Sequence, residues 1–405
     1  MSVAPPNITN APLKGLRVLD LSNVLAGPFC CHQLAHLGAE VIKVENPLGG
    51  DLARNLGADP DLSRRGMGIS FLAQNAGKSS ITLNLKSDQG KAILKQLSRD
   101  SDVLVENFRP GVMRGLQLGY TQLQQENASL IYCAISGFGQ EGPWRDRPAY
   151  DQIIQGLSGV MSITGEADGG PLRAGHPIAD TVGGLTAAMA IMAALNARPR
   201  GCLIDISMLE ATLATMGWAI SNYLIGGIIP KANGNENPTS APSGTFQASD
   251  AMLNIAANKD AQWQTLARHL GRDDLLELPE YNNREARKCN RFRLKAELET
   301  VLTRRPARLW AEELTALGVP AGEILTVPDI LAHPQITDRG LLAHFANVAG
   351  VGRDIDVLRT GVKLDGVAPT VEAAPPVLGA DNDRIYGAIG LAAADLVRLK
   401  NEGVI

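Results

Sequence analysis

Apolar residues in the first third of the chain fall into short runs that alternate with segments of helical period. LRVLDLS (16–22) is a brief apolar run with β-branched content. GPFCCHQLAHLGA (27–39) follows with helical spacing, Pro28 at its start and Gly38 near its end. EVIKVEN (40–46) and SSITLNL (79–85) read as strands, and SDQGKAILKQLSRD (87–100) as a helix with Ser87 as N-cap. DVLVEN (102–107), LIYCAIS (130–136) and CLIDIS (202–207) are further strands. Such alternation predicts an α/β fold, a parallel sheet with helices on both faces.

GGLTAAMAIMAALNA and ISMLEATLATMGWAISNYLIGG are two strongly apolar helical segments. The first is short and rich in Gly and Ala, so it reads as a buried helix rather than a membrane span. Residues 227–250 turn to Gly, Pro, Asn and Ser, the composition of a linker or mobile loop. Beyond them a strand (251–257) and helices at 260–271, 291–303 and 307–317 suggest a smaller α+β unit. The tail carries turns, short strands and a last helix, AAADLVRLKNEG. The expected division is 1–226, 227–330 and 331–405.

Composition narrows the function classes. The 405 residues are 45% hydrophobic and 20% charged, with a net charge of -4, which argues against nucleic-acid or membrane-surface binding. Aromatics at 4% leave little for base stacking. The five cysteines lack zinc-ribbon spacing, and MSVAPPNITNAPLKG has no signal-peptide pattern. Reduced thiols in a cytoplasmic protein are the expectation.

The opening β-α-β unit ends its second strand in Glu45, but its first turn, SNVLAGP, has one glycine where a dinucleotide fingerprint has three. His32 and His36 lie one helical turn apart beside Cys31, yet Gln33 stands where a zinc protease needs Glu. They read as ordinary helix histidines, and no metal site is expected. Cations gather at Lys78, Lys86, Lys91, Lys95, Arg109 and Arg114. Lys86 and Arg109 follow strands, where this architecture binds ligands, whereas Lys91 and Lys95 fit a solvated helix face. SGFGQEGPW (136–144) is a glycine-rich loop after a strand, compatible with close ligand approach or with a plain turn.

Asp180 is the sole acidic residue of AGHPIADTVGGLTAAMAIMAAL. One reading is a helix N-cap. The other is a nucleophile beside exposed helix N–H groups, with Gly183 and Gly184 admitting a substrate. A carboxylate is a weak nucleophile and needs an activated acyl target such as a thioester.

LKGLRVLDLSNVLAGPF, LGAEVIKVENPLGGD, LNLKSDQGK, VLVENFRPG, IYCAISGFGQEGPW and PIADTVGG, in this order, together resemble the class III CoA-transferases, the CaiB/BaiF or formyl-CoA transferase family. GVPAGEILTVPDILAHPQ extends the likeness over essentially the full chain. The resemblance implies a large Rossmann-like domain built from both chain ends, a smaller domain between, and an interlocked homodimer. It assigns catalysis to Asp180. It assigns CoA contacts to Leu25, Ala26, Asn46, Leu83 to Lys86, Asn107, Phe108, Arg109 and Arg147 to Tyr150, with Arg114 aligning approximately. Leu25 stands where the family often has Gln, and Asn46 where Arg is known. CoA thioesters enter as substrates, and no permanently bound cofactor is implied.

The implied reaction is CoA transfer from a donor, succinyl-CoA, to a small dicarboxylate or analogue such as glutarate, malate, itaconate, citramalate or 3-sulfinopropionate. AYDQI and NYLIG carry the likeness to the glutarate enzyme. Arg173, His176 and Lys231 are candidates for the far carboxylate, and Arg173 reads equally as an exposed loop residue. Backbone N–H groups of 233–246 are candidates to cover the intermediate. Two rivals remain: an α-methylacyl-CoA racemase, whose histidine base is replaced here by Tyr150, and a non-catalytic CoA-binding protein.

Overall fold

The computed structural model describes residues 11–405. Every residue of VLVE and IYCAIS is buried, which a strand achieves only when both faces of its sheet are covered. These two lie inside a six-stranded parallel sheet of β1 (Arg17–Asp20), β2 (Glu40–Glu45), β3 (Lys78–Thr82), β4 (Val103–Glu106), β5 (Ile131–Ser136) and β6 (Cys202–Ser207). Their order is β3-β2-β1-β4-β5-β6. Side chains alternate between two cores. Val18, Val41, Val103 and Val105 enter one, and Leu19, Ile42 and Leu104 enter the other. The winding direction reverses between β1 and β4, which leaves a crevice at the carboxyl ends of the strands.

Most expected elements lie within a few residues of the observed ones, and Ser87 caps its helix by accepting from the Gly90 N–H. Three departures bear on the site. The apolar helix starts at Ile178 rather than at Gly183, so Ile178–Asn196 carries Asp180 inside its first turn. It packs on the Ala26–His36 helix and on β5 and β6, but it leaves Leu185 and Met189 exposed and is not wholly buried. It is also long and apolar enough to cross a membrane by length and composition alone. The second apolar segment breaks at Met216 into helices Met208–Thr215 and Gly217–Gly226, and the latter buries no residue. Finally, DQIIQGL forms a helix, Asp151–Leu157, that its short apolar spacing did not announce.

The chain divides into two compact units. Among the described residues, one comprises 11–160, 173–227 and 334–405, and the other 161–172 and 228–333. Residues 161–172 lie in the stretch 1–226 yet pack with the second unit. That unit holds an antiparallel sheet, ordered β7 (Ser243–Gln247), β8 (Met252–Ala256) and β9 (Ala321–Glu323), over a core including Phe246, Trp263, Leu298 and Trp310. β7 lies within 227–250, so that stretch is not loop throughout: the alternation of Ser243, Thr245 and Gln247 with Gly244 and Phe246 pairs with β8. The first unit also contains an antiparallel pair, β10 (Leu342–Phe345) and β11 (Ile355–Leu358).

Candidate functional site

A cavity of about 310 Å³ opens in the first unit at the crevice beyond β1, β4 and β5. Its walls include residues 23–26, 107–110, 135–137 and 147–150, with Asp180 and Met208.

The turn after β1 is held rigidly. Val24 has φ 66°, a left-handed conformation that is costly for a β-branched residue. Neighbours impose it. Asn23 and Asn107 exchange two hydrogen bonds of 2.8 Å, and the Val24 N–H donates to Asp51 Oδ1 at 2.9 Å. Asp51 is fixed by the buried Lys43, 2.9 Å away, whose ammonium also donates to the Ser22 carbonyl. Lys78 pairs with Asp20 at 2.8 Å and donates to the Pro28 carbonyl. Burial pushes the Asp20 carboxyl up, but Lys43 and Lys78 outweigh it and hold the group down to about 2. Lys78 is therefore a core ion-pair residue and not a ligand cation. The turn delivers Leu25 and Ala26 to the cavity at the start of the Ala26–His36 helix, which has no side-chain cap. The N–H groups of Leu25, Ala26 and Gly27 have no hydrogen-bond partner among the described residues. Such groups form an anion-seeking edge.

Asp180 is not the helix cap. The N-cap is Pro177, and the capping function passes to a carboxylate distant in sequence, Asp151. Asp151 Oδ1 accepts from the Ala179 N–H at 2.8 Å and the Asp180 N–H at 3.5 Å. Its other oxygen accepts from Gln155 Nε2 at 2.6 Å, and Gln155 Oε1 takes the Ala174 N–H at 2.9 Å. The approach to the helix and its first turn are thus pinned from the Asp151–Leu157 helix, leaving the Asp180 carboxyl free to face the cavity. Burial, and then the charge of Asp151, push that carboxyl up to about 7. Nothing in the sequence flagged Gln155, and Asp151 stood out only by its place in AYDQI.

This gives a first prediction. In Asp151→Asn the amide oxygen still caps the helix, but the like charge is gone, so the Asp180 carboxyl should titrate below its wild-type midpoint near pH 7. A carboxyl ¹³C titration reads it, and an unchanged midpoint would refute the coupling.

Gly184 has a packing role, in place of the substrate access expected of it. A Cβ there would stand 2.5 Å from the Ala26 carbonyl oxygen and 3.1 Å from the Phe29 ring. The two helices cross at this glycine, and the crossing brings Asp180 to the edge formed by Leu25 and Ala26.

The cavity unites Asp180 with Leu25, Ala26, Asn107, Phe108, Arg109, Arg147 and Tyr150. Asn46, Leu83 and Lys86 lie farther along the same sheet edge, after β2 and β3. Asn46 is exposed and accepts the Leu48 N–H. The Leu83 side chain sits in the core, 2% exposed, so a side-chain contact from it is ruled out. Lys86 is exposed. Arg114 lines a different cavity. Arg173 and His176 are exposed and do not line the Asp180 cavity, and Lys231 belongs to the second unit, as does 233–246. His32 is buried, its Nε2 hydrogen-bonded with the Leu358 carbonyl, and burial pushes it down to about 3. It is a neutral core histidine packed on His36.

Comparison with known proteins agrees in one direction. The model of CoA-transferase family III matches residues 13–382. The chain is 38% identical to the acetyl-CoA:oxalate CoA-transferase of Acetobacter aceti, over 88% of this chain and 92% of the relative. It is 37% identical to the succinate–glutarate CoA-transferase of Agrobacterium fabrum, over 91% and 93%. It is 35% identical to the succinyl-CoA–D-citramalate CoA-transferase of Chloroflexus aurantiacus, over 97% and 98%. Among solved structures, a CaiB/BaiF family protein from Brucella suis matches with a TM-score of 0.82 at 35% identity, covering 94% of this chain and all (100%) of that one.

Proposed function

This chain belongs to CoA-transferase family III, and from that premise we propose that it moves CoA from succinyl-CoA to a small dicarboxylate through covalent intermediates on Asp180. The observation that carries this reading is the Asp180 carboxyl in one cavity with the unpartnered N–H groups of Leu25 and Ala26. A nucleophile and an oxyanion site face each other there.

The carboxylate attacks the donor thioester carbonyl, expelling CoA thiolate and forming a mixed anhydride. The thiolate attacks the aspartyl carbonyl, giving an aspartyl-CoA thioester and the free donor acid. The acceptor carboxylate attacks that thioester, forming a second anhydride and freeing the thiolate. The thiolate then takes the acceptor acyl group and regenerates Asp180. Each step exchanges acyl groups of similar energy, so no nucleotide is consumed. Helix N–H groups stabilise the oxygen that turns anionic in each step. Arg109 and Arg147 supply positive charge for the phosphates of CoA. A racemase needs a base opposite the aspartate, and the cavity offers Tyr150, a poor base at neutral pH.

The substrate choice follows the relatives named for succinyl-CoA or succinate with glutarate or citramalate. The test mixes the protein with succinyl-CoA or acetyl-CoA and a panel of glutarate, citramalate, malate, itaconate and oxalate, and reads new acyl-CoAs by mass spectrometry. No exchange with any pair would overturn the reading. The buried, unpaired Cys30, Cys31 and Cys133 suit a reducing cytoplasm.

The working unit in this reading is a homodimer. The Gly217–Gly226 helix is mostly apolar, yet it exposes Trp218 at 76%, Leu224 at 73% and Ile225 at 87%. Such a surface calls for a second protein surface. Wild type should sediment as a dimer, and Leu224→Asp with Ile225→Asp should shift it to monomer. A monomeric wild type at micromolar concentration would refute this.

A further inference from the structure

A second cavity, of about 240 Å³, lies on one face of the sheet beside the first and shares only Pro110 and Arg145 with it. Asp180 does not line it. Its floor comes from the strand register: Glu106 pairs with Ala134, which pairs with Asp205, so a methyl group sits between two longer side chains and leaves a hollow. Glu106 is 5% exposed, accepting from the Phe108 N–H at 2.8 Å and the Tyr132 hydroxyl at 3.3 Å. Burial, with the charge of Asp205 added to it, pushes its carboxyl up to about 7 against the two hydrogen bonds it accepts. Gln140 also lines the hollow, and its Nε2 is buried without a hydrogen-bond partner. Arg114 and Arg145 stand at the wall. Arg145 pairs with Asp146 at 3.2 Å, which leaves Arg114 as the guanidinium without an ion pair among the described residues.

These groups share one chemical sense. The orphaned amide and the guanidinium are donors, and Glu106, pushed up to about 7, becomes a third when it takes up a proton. A buried orphan donor is costly, and an oxygen-rich ligand removes that cost. Separated donors, at least one of them cationic, match a ligand with a carboxylate at each end. Proton uptake by Glu106 removes its like-charge repulsion of the second carboxylate. The volume suits a chain of four or five carbons.

We propose that this cavity is a second binding site, for a small dicarboxylate, distinct from the site of the covalent chemistry. The choice of ligand rests on the dicarboxylate reading above. Because the two cavities share Pro110 and Arg145, an acid held here is stationed beside the cavity of Asp180.

The test uses the full-length Asp180→Ala protein, in which no exchange occurs, saturated with free CoA. Equilibrium dialysis with labelled succinate and glutarate should show at least one equivalent bound per chain, and the equivalent that depends on Gln140 should bind butyrate more weakly by about tenfold or more. Gln140→Leu, which removes the orphan donor without burying a new polar group, should weaken succinate by about tenfold. Arg114→Gln should do so as well, and Glu106→Gln, which still offers a donor, should retain binding. Circular dichroism confirms that each variant is folded. Absence of bound succinate, or binding that ignores both Gln140→Leu and Arg114→Gln, would overturn the site. The two readings fail separately. Lost binding with intact exchange in wild type removes only this site, and retained binding with no exchange removes only the reaction.

Discussion

Asp180→Ala should abolish CoA exchange, lowering kcat by about 10⁴-fold or more, the scale seen when a covalent nucleophile is deleted. Among the residues lining the cavity, no other carries a carboxylate. Asp151 lies nearest in function, but both of its oxygens are engaged, by the Ala179 and Asp180 N–H groups and by Gln155. Wild type incubated with succinyl-CoA should gain an adduct on the peptide containing Asp180, trapped by hydroxylamine, and the variant should not. Exchange that survives in Asp180→Ala would remove the nucleophile assignment. Asp180→Asn should be equally inactive but more stable at neutral pH. The carboxyl titrates near 7 in the fold against 3.8 when free, so the fold favours its neutral form. No penalty applies below about pH 4. It grows as pH rises between the two values and is complete above 7. The melting gain of Asp180→Asn should therefore appear at pH 8 and vanish at pH 4. The same titration predicts that kcat/KM falls below about pH 7 as the nucleophile takes up a proton.

Gly184→Ala should cost both stability and activity, although alanine is the better helix former by about 1 kcal/mol. The new Cβ would stand 2.5 Å from a backbone carbonyl oxygen that belongs to the turn held by Asp51, Asn107 and Lys43. That turn cannot give way, so the Ile178–Asn196 helix must. A net loss of about 2 kcal/mol is expected from such overpacking. The activity loss should exceed what unfolding explains, because Asp180 moves with its helix and a shift near 1 Å costs about 10²-fold in rate. Gly183→Ala is the matched control. Its Cβ would meet the flexible Met208 side chain at 3.0 Å, so a small effect is expected. Equal melting points and equal rates for the two variants would remove the helix crossing as the device that places Asp180.

The sheet was legible because period-two burial and helical spacing are local properties. A segment such as CLIDIS carries its own signal, and the structure forms β6 from those six residues. The strand order is set by crossover packing, which no short window encodes. The same division holds at the site. Asp180 stood out as a lone acid before an apolar run, and the succession of family motifs supplied its role. What holds it did not stand out. Asp151 and Gln155 are ordinary residues in a weakly patterned segment, and their use depends on a fold that brings residue 151 to the start of a helix at 178. Lys78 misled for the converse reason: a lysine at a strand end reads as a ligand cation until Asp20 is found beside it.

By itself the amino-acid sequence determined the α/β class and the succession of most elements, and it singled out Asp180 as the candidate nucleophile, because each is written in neighbouring residues. Only the tertiary structure decided that Asp180 is relieved of capping, that it shares one cavity with Leu25 and Ala26, and that Glu106, Gln140 and Arg114 line one hollow. Those facts depend on contacts between residues far apart in the chain, and long-range contacts are set by the packing of the whole sheet and its helices.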